Sequence, residues 1–205
     1  MSIPVIPDGS ERSTRPSGSS DGRRPAAVRA IIERATLREI LMGAQDNLTN
    51  VLAVALGVTV GAGRADLVAL AGLAAACAEA VSMGGVLYTS TRAELGLDAL
   101  ERSGAAPGMA AGPTSRLAPA QSGFITFVAA LLGGLVPLVP FILLPLSMAV
   151  VTSIIVSVAA LFALGSWTGR IAGHIWWQDG LRLLAVAGTA ALVAAVVGTI
   201  LRIDE

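Results

Sequence analysis

The sequence predicts an all-helical membrane protein with five transmembrane helices, an N-terminal amphipathic interfacial helix and a cytosolic N-terminus. Of its 205 residues, 54% are hydrophobic and only 14% are charged, whereas a soluble domain is about a quarter charged. Apolar stretches of about 20 residues recur, and this is the length that a helix needs to cross a bilayer. The arginines, finally, lie mostly on one side of a five-span arrangement. We therefore expect a multi-pass integral membrane protein whose main environment is lipid.

Two segments precede the first apolar span. Residues 1–25 are rich in Ser, Gly, Pro and Arg and have no apolar signal-peptide core, which predicts a disordered cytosolic tail. Residues 26–39 place apolar side chains along one helical stripe and most charged side chains elsewhere. This pattern predicts an amphipathic helix on an anionic membrane surface, with a solvated surface helix as the alternative.

The rest of the chain is apolar apart from one polar segment. Transmembrane helices 1 and 2 lie within residues 40–91, a short cytosolic linker occupies residues 92–121, and helices 3 to 5 lie within residues 122–203. The first dozen linker residues could extend helix 2 beyond the bilayer. Pro137 and Pro140 should kink or break helix 3, because proline lacks a backbone donor. The individual spans are predicted at about 40–61, 67–90, 123–144, 146–167 and 180–201.

The placement of arginine predicts the orientation. The chain has no lysine; seven arginines precede the first span, three lie between helices 2 and 3, and two flank the turn between helices 4 and 5. Only Arg64 and Arg202 fall on the opposite side. The positive-inside rule therefore puts the N-terminus in the cytosol. Trp167, Trp176 and Trp177 would then form an aromatic belt at the cytosolic face.

Two carboxylates interrupt the apolar spans, Asp46 in helix 1 and Glu79 in helix 2. A charge at a helix centre costs about 2.5–3.5 kcal/mol on insertion scales, so membrane acids normally face a bundle interior or a water-filled path. At about 1.5 Å per residue, Asp46 and Met83 lie roughly 9 Å and 10 Å from the cytosolic ends of their spans. Glu79 lies one turn deeper than Met83 on the same face. Met42 and Asn50 share the stripe of Asp46.

This set of two carboxylates, one or two thioethers and an amide predicts a cation site formed by Asp46, Glu79, Met83, Met42 and Asn50. Carboxylates suit hard divalent cations and a thioether adds a softer ligand, so the set fits Fe²⁺, with Mn²⁺, Co²⁺ or Zn²⁺ as alternatives. The same carboxylates could instead carry protons or another cation. They could also only hydrogen-bond helices together, in a membrane scaffold that transports nothing.

Small residues in helices 1, 2 and 5 permit close helix contacts. One interpretation is a two-fold dimer that brings both copies of helices 1 and 2 around its axis, and so duplicates the ligand set. Packing within one chain explains the glycines equally well.

Other function classes are not indicated. The net charge is zero, so nucleic acid is not an expected partner. No phosphate loop, nucleophile triad or paired metal motif of the soluble type is present, which argues against ATP-driven pumping by this chain alone. We expect a protein that is not an enzyme and needs no cofactor. His174 is expected to be an ordinary belt residue and Asp179 the cap of helix 5. With no organelle signal visible, the plasma membrane is favoured over a vacuole.

Several segments resemble the vacuolar iron transporter family. Residues 38–50, REILMGAQDNLTN, are similar to its opening helix with a Gly-x-x-Asp-Gly-Leu signature. Residues 72–94, GLAAACAEAVSMGGVLYTSTRAE, are similar to its second helix with an Ala-Glu-Ala-(Ile/Val)-Ser-Met core. Residues 124–141 and 169–198 resemble its Pro-containing third helix and its last turn and helix. The resemblance implies a five-span homodimer that exports Fe²⁺ or Mn²⁺ from the cytosol in exchange for protons.

The resemblance also implies site residues. The family's acid in helix 1 falls on Asp46, and its glutamate and methionine in helix 2 fall on Glu79 and Met83. The chain departs from the family in three places. Residues Val86–Tyr88 lack a carboxylate that family members often carry, and Asn47 replaces the usual glycine of the signature. The short segment 92–121 stands where family members have a long, Glu-rich metal-binding domain.

Overall fold

A computed structural model describes residues 23–104 and 117–202, with side chains from Leu37 onward except Arg38. All the elements within these residues are helices, as predicted. In chain order they are α1 (Arg23–Ala62), α2 (Ala65–Arg102), α3 (Pro119–Leu135), α4 (Val139–Leu143), α5 (Leu146–Ala172) and α6 (Trp176–Ile200).

Three of these helices, α2, α5 and α6, are long and apolar enough to cross a membrane, and α3 is a shorter apolar helix. The fold class of an all-helical membrane protein is therefore confirmed at this level, whereas the count of five spans stays a prediction. α1 is not among the three candidate membrane helices, because Gln45, Asp46, Asn47 and Asn50 lie close together in its sequence and lower its mean hydropathy.

The helices of the structure do not have the same bounds as the predicted segments. The predicted interfacial segment, 26–39, and the first predicted span form the single helix α1, and its position on a membrane surface stays a prediction. α2 runs to Arg102, so the polar linker does begin as an extension of helix 2. Residues 1–22 of the predicted tail and residues 105–116 of the linker lie outside the described residues.

The proline-rich third span is broken, as predicted. α3 ends at Leu135, and only the five-residue α4 follows before Pro145. The break frees the carbonyl oxygen of Pro137, because the Phe141 amide binds Leu138 instead. The buried Ser153 hydroxyl on α5 donates to this oxygen at 2.7 Å. The serine thus satisfies a backbone group that lipid could not.

One predicted cap is wrong. Asp179 does not cap the last helix, because α6 already begins at Trp176 with Ile175 as its N-cap. The carboxylate of Asp179 lies in the first turn, where Oδ2 is 3.0 Å from His174 Nδ1 and Oδ1 accepts from Arg182 at 2.9 Å.

Glycines bring the helices of one chain together. A Cβ atom added at Gly123 of α3 would lie 2.7 Å from the carbonyl oxygen of Gly84 on α2, and one added at Gly133 would collide with the backbone of Ala44 on α1. Gly57 and Gly198 make the same close approach between α1 and α6. Packing within one chain therefore explains most of these glycines. Gly188, by contrast, faces open space.

We expect Gly133→Ala to destabilise the protein by about 1–3 kcal/mol, because the added methyl group overpacks the α1–α3 contact. Gly188→Ala is the matched control, and it should be neutral or slightly stabilising because alanine favours a helix. Thermal unfolding of both purified variants in detergent measures the difference. Equal melting temperatures for the two variants would contradict the close α1–α3 approach.

Candidate ion-binding site

The antiparallel pair α1–α2 brings three predicted site residues together. The Glu79 carboxyl group of α2 interacts with the Asp46 carboxyl group and with the Asn50 side chain, both on α1. Glu79 is half-buried, whereas Asp46 and Asn50 are exposed. The depth estimate had placed Met83 level with Asp46, and the contact instead involves Glu79, one turn away along α2.

The two predicted thioether ligands, Met42 and Met83, each lie one helical turn from this contact. Met42 lies one turn before Asp46 on α1, and Met83 lies one turn after Glu79 on α2; both are half-buried. Because α1 and α2 are antiparallel, both methionines lie on the same side of the carboxylates along the bundle. The two thioether sulfur atoms, which are soft ligands, therefore lie on one side of the carboxylate oxygens, which are hard ligands, along the bundle axis.

The electrostatics of the pair favour a bound cation or a shared proton. Asp66 and Asp179 form ion pairs, whereas no ion pair found among the described residues involves Asp46 or Glu79. Two carboxylates in contact repel each other unless a positive charge lies between them. The site can therefore bind a metal ion through both groups, or exchange that ion for protons.

One chain supplies an incomplete set of ligands. No group of three or more His, Cys, Asp or Glu side chains that could hold a metal occurs within residues 23–104 and 117–202. Asp46, Glu79 and Asn50 offer oxygen atoms, which suit Mn²⁺ and Fe²⁺, and Met42 and Met83 offer sulfur. Water or another copy of the chain could add further ligands.

An open groove of about 910 Å³ leads away from the carboxylates between α1, α2 and α6. Glu79, Asn50 and Ser82 form its polar end. Small residues such as Gly57 and Ala78 keep it wide, and its far end lies at the α1–α2 corner, where it is lined by Gly61, Ala62, Leu67 and Leu201. The groove therefore connects the site with the end of the bundle opposite to the methionines.

Glu39 is a buried acid that the sequence analysis missed. Its side chain is only 5% exposed, and its Oε2 atom has no hydrogen-bond partner among the side chains that the structure describes. It had been assigned to the end of the interfacial segment. The signal that could have found it is spacing, because Glu39, Met42 and Asp46 follow at i, i+3 and i+7 and so share one helix face over about 10 Å.

Asn47 does not face the site, although it lies next to Asp46. It is fully buried, and its side-chain amide donates to the carbonyl oxygens of Ala76 on α2 at 3.0 Å and Ala130 on α3 at 2.8 Å. Gly134 gives it room, since a Cβ there would lie 2.8 Å from the amide nitrogen. Asn47 therefore joins three helices and sets the register in which Asp46 meets Glu79.

We expect Asn47→Ala to lower the stability of the protein by about 1–3 kcal/mol, since two buried hydrogen bonds are lost. Asn50→Ala removes an exposed amide from the same helix and should change stability by no more than about 0.5 kcal/mol. Thermal unfolding in detergent compares the two variants. A larger loss in Asn50→Ala would show that Asn47 does not join the helices as described.

For Glu39→Gln we expect a stability equal to or above that of the wild-type protein. The substitution keeps the shape of the side chain and removes a buried charge, which is costly without a partner. Melting temperatures of the two proteins in the same metal-free detergent buffer provide the test. A clear drop in the variant would indicate that the carboxylate has a stabilising ionic partner in the folded protein.

Comparison with known proteins agrees with the resemblance seen in the sequence. Two overlapping segments, residues 37–106 and 97–199, match the model of the VIT family. No curated protein matches the chain. The first segment includes Asp46 and Glu79, and the second includes the proline break and both helices of the α5–α6 hairpin.

Proposed function

Because the chain belongs to the VIT family, the vacuolar iron transporters, we propose that it exports Fe²⁺ or Mn²⁺ from the cytosol in exchange for protons. Membership indicates a membrane transporter of divalent metal ions. The choice of metal, the coupling to protons and the path across the membrane are parts of the proposal. Fe²⁺ and Mn²⁺ enter here as cargo.

The contact of Glu79 with Asp46 and Asn50 is the observation that carries this proposal. A divalent cation neutralises both carboxylates at once and uses their oxygen atoms as ligands. When the cation leaves along the groove, the repulsion between the carboxylates returns unless protons replace it. Metal and protons therefore compete for one site, which is what an antiporter requires.

The proposed topology has five spans, formed by α1, α2, the broken pair α3–α4, α5 and α6. α1 packs against α2, α3, α5 and α6, so it lies at the centre of the bundle even though its hydropathy is low. The arginine distribution supports a cytosolic N-terminus. The groove then opens on the side away from the cytosol, which suits export. We favour the plasma membrane as the host membrane.

A two-fold dimer would complete the site. Asp46 and Asn50 are exposed in one chain, and a second copy could add its own carboxylates and thioethers there. An isologous contact of this kind pairs the same surface of both copies. It would also cover the apolar wall of the groove.

A second candidate is a proton or other cation transporter that uses the same carboxylates. The contact between Asp46 and Glu79 favours it as well, because a proton can neutralise the pair as a metal ion does. A scaffold that transports nothing is the candidate of a different class, and in it these acids would be structural.

The test is uptake of Fe²⁺ and Mn²⁺ into proteoliposomes, with and without a pH gradient. We expect Glu79→Gln to fold normally and to lower metal flux by at least about tenfold, since even residues that only support metal ligands cost that much when removed. Glu94→Gln is the matched control, because Glu94 lies on the same helix about 22 Å from Glu79.

The remaining outcomes each contradict a different part of the proposal. Metal flux that does not change with the pH gradient would exclude proton antiport. Proton flux without any metal flux would favour the second candidate. No flux of any tested ion through folded protein would leave the acids with a structural role, and equal flux in Glu79→Gln and Glu94→Gln would remove Glu79 from the path.

A further inference from the structure

We propose that a second groove, at the turn between α5 and α6, binds one anionic phospholipid. The groove has a volume of about 570 Å³ and is lined by residues that include Phe162, Ser166, Trp167, Arg170, Ile171 and Trp176. Both helices are long and apolar enough to cross a membrane, so their shared turn lies where lipid headgroups are. This inference concerns a surface apart from the carboxylate site and does not depend on what the protein transports.

Side chains along one stripe of α5 follow the chemical order of a phospholipid. Phe162, Ser166 and Arg170 are spaced four residues apart, so they lie on one helix face in steps of about 6 Å. Phe162 is apolar, Ser166 carries a hydroxyl group and Arg170, nearest the helix end, carries a charge. An acyl chain, an ester carbonyl and a phosphate group occur in the same order from the membrane interior outward.

Arg170 supplies the charge that would bind the phosphate. Its guanidinium group lies 5.5 Å from the ring centroid of Trp176, and it is exposed. Among the described residues it forms no ion pair, because the nearby carboxylate of Asp179 is bound by His174 and Arg182. An unneutralised, planar guanidinium group with several donors is well suited to a phosphate.

Ser166 supplies a donor one turn deeper. Its hydroxyl oxygen is shielded from solvent and has no hydrogen-bond partner in the described residues. A shielded hydroxyl group without a partner costs free energy. An ester carbonyl of a lipid seated in the groove would accept from it and remove that cost.

Aromatic rings form the apolar part of the groove. The ring of Trp176 packs edge-on against Phe162, with centroids 6.3 Å apart and an interplanar angle of 73°. Trp167 and Trp177 are exposed beside it, as expected of an interfacial belt. Basic pockets between transmembrane helices bind anionic headgroups through the same combination of charge and apolar wall. A zwitterionic lipid would bring a second, repelled positive charge to Arg170.

Tryptophan fluorescence reports on this groove directly, because the three tryptophans of the chain are Trp167, Trp176 and Trp177. The full-length protein is reconstituted in phosphatidylcholine that contains a small, fixed fraction of lipid brominated on its acyl chains. The brominated lipid is either phosphatidylglycerol or phosphatidylcholine. We expect stronger quenching by phosphatidylglycerol, since it accumulates in the groove.

Arg170→Gln should abolish most of this excess quenching, with an affinity for phosphatidylglycerol about fivefold lower, the effect of one arginine near a membrane surface. Arg102→Gln is the control, because Arg102 lies at the end of α2 and donates to the Asp98 carbonyl oxygen. Glu79→Gln should keep the excess, which separates this test from the transport test.

Three results would overturn the proposal: equal quenching by both lipids in the wild-type protein, unchanged excess quenching in Arg170→Gln, or loss of the excess when inorganic phosphate is added. The last would identify a site for a free anion. If Arg170→Gln fails to fold, Ser166→Ala replaces it, since that hydroxyl group has no partner to lose. Excess quenching unchanged in Ser166→Ala would then refute the proposal.

Discussion

The arrangement of the site depends on one buried side chain, the amide of Asn47. It donates to backbone oxygens on α2 and α3 and thereby fixes how α1 is rotated against both helices. Successive residues of a helix are about 100° apart. With Asn47 directed into the three-helix contact, Asp46 and Asn50 are turned toward the edge where Glu79 lies. A polar residue that takes no part in the proposed chemistry therefore determines which polar residues can.

In lipid, backbone polar groups need hydrogen-bond partners within the protein, and other parts of the bundle provide them. Where Pro137 and Pro140 interrupt the predicted third span, the Ser153 hydroxyl group donates to the Pro137 carbonyl oxygen that the break releases. Where helices cross, glycines replace larger residues, so backbones come into contact. These contacts use small residues within one chain.

Sequence reasoning identified the composition-driven features and the residues that share a helix face. Two antiparallel helices joined by a short turn were enough to place Asp46 and Glu79 on neighbouring helices, although the depth estimate put Met83, and not Glu79, level with Asp46. The break in the predicted third span followed from proline chemistry. Sequence reasoning did not show that the side chain of Asn47 is buried, because a row of residues on one helix face does not reveal which other helix packs against that face. Glu39 was missed for the same reason, since its burial depends on the packing of α1 against other helices, which its own sequence stripe does not show. The wrong cap at Asp179 came from a helix boundary set four residues too late.

The length of α2 has a mechanical consequence. Its 38 residues extend for about 57 Å, which is nearly twice the roughly 30 Å thickness of the hydrocarbon layer. The helix is unbroken from Glu79 to Arg102, so the Glu79 carboxylate belongs to the same rigid helix as the C-terminal end of α2, about 35 Å away. A small tilt of that tip would act as a lever on the contact between Glu79 and Asp46. Whatever touches the protruding end from outside the membrane thus has a rigid connection to the site within it.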